Sequence, residues 1–479
     1  MVRVRAVAAT LLASVACASC KKPAPPPSVE AGPAPSNAIV TEPKADAGRD
    51  GGTRIAIGTY ADAGAGPHAV AVADAGVLAG LPLASDAMEL VAIGKSTASR
   101  VLWLQDIGGR TWLSARNLDA FADGDGPLVK GKDPLEKLPY KPGVHSMRVV
   151  GAYPHLFVLR TKDVEGRMES PEPTVFVYTA EERGPGTWKE AKPLGTSWFP
   201  NAFIAYRDGA LLVTGQIELN GGPFYNQSHP GTTLTFVGPD GTVSDPKLGV
   251  HPHFMAWSAA SDGDTLTLIG TVAIPPKAKD EDWDASGVNL WRIKGGAGKR
   301  IPIQQNLGIA MEMYSARVSE RNGKAIAIPP GLVTAEESWR PNAHTVFEVE
   351  DDKAKARTFV GNESCYVKSA LPAGDDIYGL RVCYSDGVIE DLVRLRADGK
   401  TEKLPLPSLV KDPAGGYRVA KSDAEKKKAI GCVVNSIVVR GRDDVWASAF
   451  CGGTGEWDGR GSVPIVLRRG RPQEPIVLP

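Results

Sequence analysis

An excess of charge of either sign is absent from this sequence: Lys+Arg and Asp+Glu both number 55, so the formal net charge is zero. A nucleic-acid partner calls for a basic patch or stripe, and the balance argues against one. After the first residues no run reaches about 18 consecutive apolar residues, which leaves no candidate spanning helix. Long helical periodicities are scarce too. With 53 glycines and 38 prolines in 479 residues, the chain points instead to many short strands joined by turns. GxSxG elbows, Walker loops, dinucleotide fingerprints and HExxH motifs are all missing, so the sequence names no reaction. What it does have is 42% hydrophobic residues, enough for one large all-β unit or for two or three ordinary domains.

The first residues read as an export signal. MVRVR is cationic, AVAATLLASVA is apolar but short for a bilayer, and small residues lead to cysteine in CASCKK. This resembles a bacterial lipoprotein signal, although the usual leucine three positions before the cysteine is missing. The resemblance implies acylation of Cys20, with Cys17 as the alternative, and anchoring to a membrane of the cell envelope through the N-terminal lipid, periplasmic or surface-exposed. An ordinary secretory signal is the other reading. Residues 20–66, rich in Pro, Ala and Gly, bury too little apolar surface to offset their ordering entropy and are expected to act as a tether. The expected organisation is therefore a signal over 1–19, a tether over 20–66 and a folded domain over 67–479.

Four cysteines remain, an even number in an exported chain. Cys365 and Cys383 lie symmetrically about Gly374, and Cys432 and Cys451 about Gly441 and Arg442. Residues equidistant from a hairpin turn face each other, so each pair is expected to staple the open end of one hairpin. The two hairpins also resemble each other, GDDIYGLRVC against RDDVWASAFC, 68 residues apart.

A strand, a polar turn and a second strand recur in VLWLQDIGGRTWLSA, TVFVYTAEERGPGTWKEAKPL, LTFVGPDGTVSDPKL, VNLWRIKGGAGKRIPI, VFEVEDDKAKARTFV, LVRLRADGKTEKLPL and IVLRRGRPQEPIVL. Their first apolar residues, Val101, Val175, Leu234, Val288, Val346, Leu392 and Ile465, are separated by 74, 59, 54, 58, 46 and 73 residues, close to 61 per repeat. Before each lies another hairpin. AFIAYRDGALLVTG, AWSAASDGDTLTLIG and SARVSERNGKAIAI carry Asp-Gly or Asn-Gly for tight turns. MRVVGAYPHLFVLR and AVAVADAGVLAGLPLASDAMELVAIG are less regular versions. Two hairpins per repeat make four strands, and seven repeats predict an all-β, seven-bladed β-propeller, with six blades, eight blades or a pair of β-sandwiches as alternatives. The pattern, DDVWASAF above all, resembles the propellers of secreted and lipid-anchored bacterial proteins. That resemblance implies an architecture and no particular activity.

In such a fold the turns between strands two and three and the links from strand four to the next strand one share a face. The long connections are of these kinds, and they gather Trp198, Phe199, Tyr225, Trp283, Trp339 and Trp457, with acids beside the last three. Aromatics flanked by carboxylates can stack on sugar rings or anchor an envelope protein; equally, they can fold down as plugs over the blades. His251-Pro252-His253 and the acidic run Asp280, Glu281, Asp282 and Asp284 lack the spacing of a complete metal site, so no metal or cofactor is expected. TAEERGPGTW faintly resembles a structural turn of sialidase-like propellers. A saccharide hydrolase would need two carboxylates, and the sequence does not choose among Asp282, Glu336, Glu337, Glu456 and Asp458. The expectation is a binding module, with a propeller hydrolase or lyase and an assembly scaffold as alternatives.

Overall fold

Three short hairpins show how the strands start. All three have two-residue turns, Arg207-Asp208, Gly263-Asp264 and Asn322-Gly323, closed by the pairs Tyr206↔Gly209, Asp262↔Thr265 and Arg321↔Lys324. Only Asn-Gly sits centrally, with φ of 51° and 72°. In YRDG the turn slips back by one, so that Arg207 takes the positive φ of 53° and Gly209 opens the next strand. A Cβ on Gly209 would lie 2.4 Å from the Val237 carbonyl oxygen, so this glycine is held by the close approach of the third strand.

The computed structural model describes residues 81–479 except the connecting segments 132–143, 163–172, 180–185, 192–199, 216–230, 278–283, 305–309, 384–388 and 453–461 and several shorter ones. The strands form seven antiparallel blades. Blade one is Val101–Ile107, Arg110–Ala115, Leu118–Asp123 and Val129–Gly131; blade two is Val144–Ala152, His155–Lys162, Pro173–Thr179 and Thr187–Glu190. Blade three is Pro200–Tyr206, Gly209–Gly215, Thr232–Val237 and Val243–Ser244; blade four is Phe254–Asp262, Thr265–Ile274, Val288–Lys294 and Ala297–Gln304. Blade five is Arg317–Arg321, Lys324–Ile328, Thr345–Glu350 and Lys353–Thr358; blade six is Cys365–Ala373, Asp376–Cys383, Ile389–Leu395 and Thr401–Lys403. Blade seven is Cys432–Gly441, Asp444–Cys451, Val463–Arg469 and, from the other end of the chain, Met88–Gly94, with Ile476–Leu478 parallel to it as a fifth strand. First strands pack against first strands in chain order, and that of blade seven meets that of blade one, closing the ring.

Two expected strand placements are corrected. VLWLQDIGGRTWLSA is the first hairpin of blade one, not its second; strand three is Leu118–Asp123. Counting from Leu118 shortens the first step from 74 residues to 57, in line with the others. Correspondingly, MELVAIG belongs to blade seven, where it displaces Ile476–Leu478 from the fourth position. The wide last step comes from an insertion between blades six and seven, made of the hairpin Leu409–Lys411 and Tyr417–Val419 and the helix Asp423–Lys426.

Apolar clusters lie between neighbouring blades. Tyr378, Leu380 and Leu392 of blade six pack with Val445, Ala447 and Val463 of blade seven, all nearly inaccessible. Each such large side chain contributes about 1.5–3 kcal/mol of burial. The similarity of GDDIYG to RDDVWA is a buried clamp. The second aspartate, Asp376 or Asp444, receives Arg394 or Arg468 from strand three, and that arginine pairs across the sheet with the aromatic Tyr378 or Trp446.

Candidate functional site at the loop-bearing face

Strand direction alternates within a blade, so the two-to-three connections and the links into the next blade emerge at one end of the ring. Both disulfides sit at that end. Cys365–Cys383 and Cys432–Cys451 join directly opposed residues, with Cα atoms 3.9 and 4.0 Å apart, as the symmetry predicts. The register reaches them through bulges. The first turn centres between Gly374 and Asp375, and one extra residue near Lys368 moves the partner of Cys365 from position 384 to 383. In blade seven the turn is Arg442-Asp443, and two bulges, at Arg440 and Asn435, bring Cys451 opposite Cys432. A bulge near the start of the first strand recurs in blades one, two, three and four. The channel entrance is thus ringed by bulges, features that re-aim backbone beside sites. The two disulfides fit a chain held outside the reducing cytosol. Among the described residues, no helix is long and apolar enough to cross a membrane.

Of the aromatic positions, Trp198, Phe199, Tyr225, Trp283 and Trp457 lie outside the described residues, as do Cys17 and Cys20. Trp339 falls on a strand and not in a loop: Glu337–Arg340 pairs with Gly331–Thr334, which pairs with Ala310–Glu312. A small three-stranded sheet therefore joins the blade-five connection to the link from blade four. The insertion before blade seven is locally braced: Glu425 takes two hydrogen bonds from Arg418 and one from the Lys421 amide. The Arg418 bond, then the Lys421 amide, hold the Glu425 carboxyl at a pKa of about 2. The backbone bond from Gly452 to Gly431 ties the insertion to the Cys432–Cys451 staple.

His251-Pro252-His253 is built as a turn. The His251 Nδ1 accepts the His253 amide at 3.1 Å, and its carbonyl accepts the Phe254 amide. Desolvation, then the charges of His253 and Arg300, lower the His251 pKa. That nitrogen's lone pair is spent on the backbone.

The centre of the ring supplies polar groups that sequence reasoning passed over. A cavity of about 320 Å³ at the turn end is lined by first-strand residues of blades one, five, six and seven, including Asp106, Ser319, Arg321 and Val439. Arg321 spans it, donating to the Val439 carbonyl of blade seven and lying 3.6 Å from Asp106 of blade one. Beside it the Glu320 side chain is fully buried and accepts from Arg292 at 2.8 Å. Burial raises the Glu320 pKa, against the Thr267 hydroxyl and Arg292, which pull it down. Higher in the channel stand Arg148 of blade two and Arg317 of blade five. Both side chains are exposed; nearby protein lowers their pKa by partial desolvation, and the charge of Arg148 lowers Arg317 further. Superposing MRVVGAYP on ARVSERNG at their turns would have found them, since each arginine precedes the last residue of its strand by four.

These strands define a seven-bladed propeller closed by its N-terminal strand. Compared with family models and with curated proteins, the sequence matches none. Among solved structures it is similar to a prolyl endopeptidase, at 12% identity and a TM-score of 0.42, covering 81% of this chain and 49% of that one, so that it spans about half the endopeptidase's length. It is also similar to the β-propeller domain of the Trilobed protease from Pyrococcus furiosus, at 9% identity and a TM-score of 0.37, covering 77% of this chain and 96% of that one. YjhT matches at 12% identity and a TM-score of 0.37, covering 68% and 99%.

Proposed function

We propose that the chain is an exported, lipid-anchored propeller of the bacterial cell envelope that binds a saccharide at its loop-bearing face. The observation that carries this reading is the placement of both disulfides. They fasten the innermost hairpins of blades six and seven at the end where the long connections emerge, giving those connections a rigid frame in an oxidising compartment. The three-stranded sheet bearing Trp339 and the insertion before blade seven add surface at the same end. Trp198, Phe199, Tyr225, Trp283, Trp339 and Trp457 are the stacking residues of this proposal.

The test is binding of the full-length chain to a panel of polysaccharides and cell-wall fragments, beside a Trp283→Ala, Trp339→Ala, Trp457→Ala variant. Saturable binding that falls at least tenfold in a variant with unchanged circular dichroism supports the reading. Equal binding by both forms, or none by either, overturns it and turns the search to an envelope protein as partner.

A further inference from the structure

The turn end of the channel holds two opposite charges in one cavity. Asp106 of blade one and Arg321 of blade five both line the space of about 320 Å³ there, with Arg321 Nη1 3.6 Å from Asp106 Oδ2. That separation is beyond hydrogen-bond range, so the two groups attract without closing on each other. Asp106 keeps 24% of its side-chain surface and Arg321 30%, so a ligand can reach both. Among the described residues the guanidinium makes one hydrogen bond, from Nη1 to the Val439 carbonyl. Nε and Nη2 are left, one edge of a fork that matches a carboxylate with two parallel bonds.

The remaining lining is of two kinds. Ser319 donates its hydroxyl to the Ala370 carbonyl at 2.7 Å, which leaves its oxygen as an acceptor. Leu104, buried, and Leu371 and Ile437, half-buried, give the wall an apolar part. Glu320 also borders the cavity, but its side chain is fully buried against Arg292, out of a ligand's reach. A space of this size is at the lower end of those that take small organic ligands. A monoanion docked on Arg321 would meet the Asp106 carboxylate, and a monocation docked on Asp106 would meet the guanidinium, like charges at close range in both cases. A ligand with both signs side by side escapes either repulsion. An α-amino acid is such a ligand, since one carbon bears its ammonium, its carboxylate and its side chain.

We propose that this cavity binds a free α-amino acid with an apolar side chain. Its carboxylate sits on the Nε–Nη2 edge of Arg321, its ammonium on Asp106 with Ser319 as a further acceptor, and its side chain against Leu104, Leu371 and Ile437. The site lies at the end of the ring opposite the loop-bearing face. It goes beyond the saccharide reading, and neither outcome of the polysaccharide test decides it.

Calorimetric titration of the full-length chain with L-leucine tests this, beside ligands that each lack one feature: 4-methylpentanoate the ammonium, 3-methylbutylamine the carboxylate, glycine the side chain and glucose both charges. The expected result is one-site binding of leucine, with every other ligand roughly tenfold or more weaker. In Asp106→Asn the preference for leucine over 4-methylpentanoate should vanish, and in Arg321→Gln the preference over 3-methylbutylamine, each variant being checked for folding by circular dichroism. Arg321→Gln also loses the bond to blade seven, so if it fails to fold, Asp106→Asn and the ligand series decide. Absence of leucine binding by the wild type, binding of glucose or of either one-charge ligand as tight as that of leucine, or an unchanged preference in Asp106→Asn overturns the proposal and leaves the pair as a brace across the channel.

Discussion

Replacing Asp444 by alanine should destabilise the ring at its closure. Asp444 Oδ1 accepts the Trp446 indole at 2.8 Å and two nitrogens of Arg468 at 3.2 Å. Arg468 is wholly inaccessible, stacks 4.4 Å from the Trp446 ring and also donates to the Gly124 and Gly126 carbonyls of blade one. Burial lowers its pKa, and Asp444 opposes that shift. Removing the carboxylate strands a buried cation, which costs roughly 3–5 kcal/mol; the blade-one carbonyls retain part of its solvation, so the lower half of that range is expected. For a unit the size of Ala65–Pro479, an unfolding entropy of about 2 cal/mol/K per residue translates this into a fall in Tm of roughly 3–5 °C. The assay is differential scanning calorimetry on Asp444→Ala, Arg468→Met and the double variant. The double should lose less than the sum of the singles, because once the arginine is gone the aspartate has no buried charge to answer. Lys299→Ala provides the contrast: its ion pair with Asp352 is more than half exposed on both sides and should contribute about 0–1 kcal/mol. If Asp444→Ala shifts Tm no more than Lys299→Ala, or if the two singles add, the clamp is not what holds blade seven to blade one.

Three further outcomes follow from the same physics. Replacing Cys432 and Cys451 together by serine should lower the denaturant midpoint by an amount equivalent to about 3 kcal/mol, the loop-entropy value for a 19-residue separation, and reductant should then affect only the other pair; an unchanged midpoint contradicts this. Because burial raises the Glu320 pKa, the folded state holds that proton more tightly than the unfolded chain, so the stability it contributes is complete below pH 4.5 and is lost as pH rises through the folded value. Glu320→Gln should therefore gain on the wild type between pH 4.5 and neutrality in urea titrations; a gain confined to acid would refute the assignment. On the proposed lipid anchor, Cys20→Ala should release the chain from the membrane fraction and remove the acyl mass from its N-terminal peptide; if Cys17→Ala does so instead, the alternative cleavage point is correct, and if neither does, the anchor proposal fails.

Local signals carried most of the architecture. The repeat spacing and the symmetric cysteines worked because hairpin pairing is decided by residues within about twenty positions of one another, where alternation and turn chemistry act directly. The bulges were illegible, since Lys368, Asn435 and Arg440 look like any other strand residues, yet they set which cysteine faces which. Aromatic rim residues were visible as a loop pattern, but Trp339 lies on a strand because Gly331–Thr334 offers it a pairing edge that the alternation of so short a segment does not announce. Arg148 and Arg317 were hidden for another reason: an isolated arginine in a strand has no signature, and only the equivalence of two hairpins in different blades brings the pair into view.

Ring closure marks the limit of local reasoning. MELVAIG alternates well enough to be a strand anywhere, and its neighbour in sequence, Val101–Ile107, is the nearest candidate partner, which is why blade one was expected to begin too early. Its actual partners are Val463–Arg469 on one side and Ile476–Leu478 on the other. Nothing in the heptapeptide selects them. The selection is made by the ring: seven first strands close only if blade seven abuts blade one, and the short link 95–100 from the first strand of blade one then leaves the N-terminal strand beside the open edge of blade seven. An unpaired edge buried against the next blade would strand its backbone groups, and Met88–Gly94 satisfies them. Pairing between the two ends of the chain also costs more loop entropy than any other contact in the fold. The clamp from Arg468 to the blade-one carbonyls is placed at the junction where that cost has to be offset.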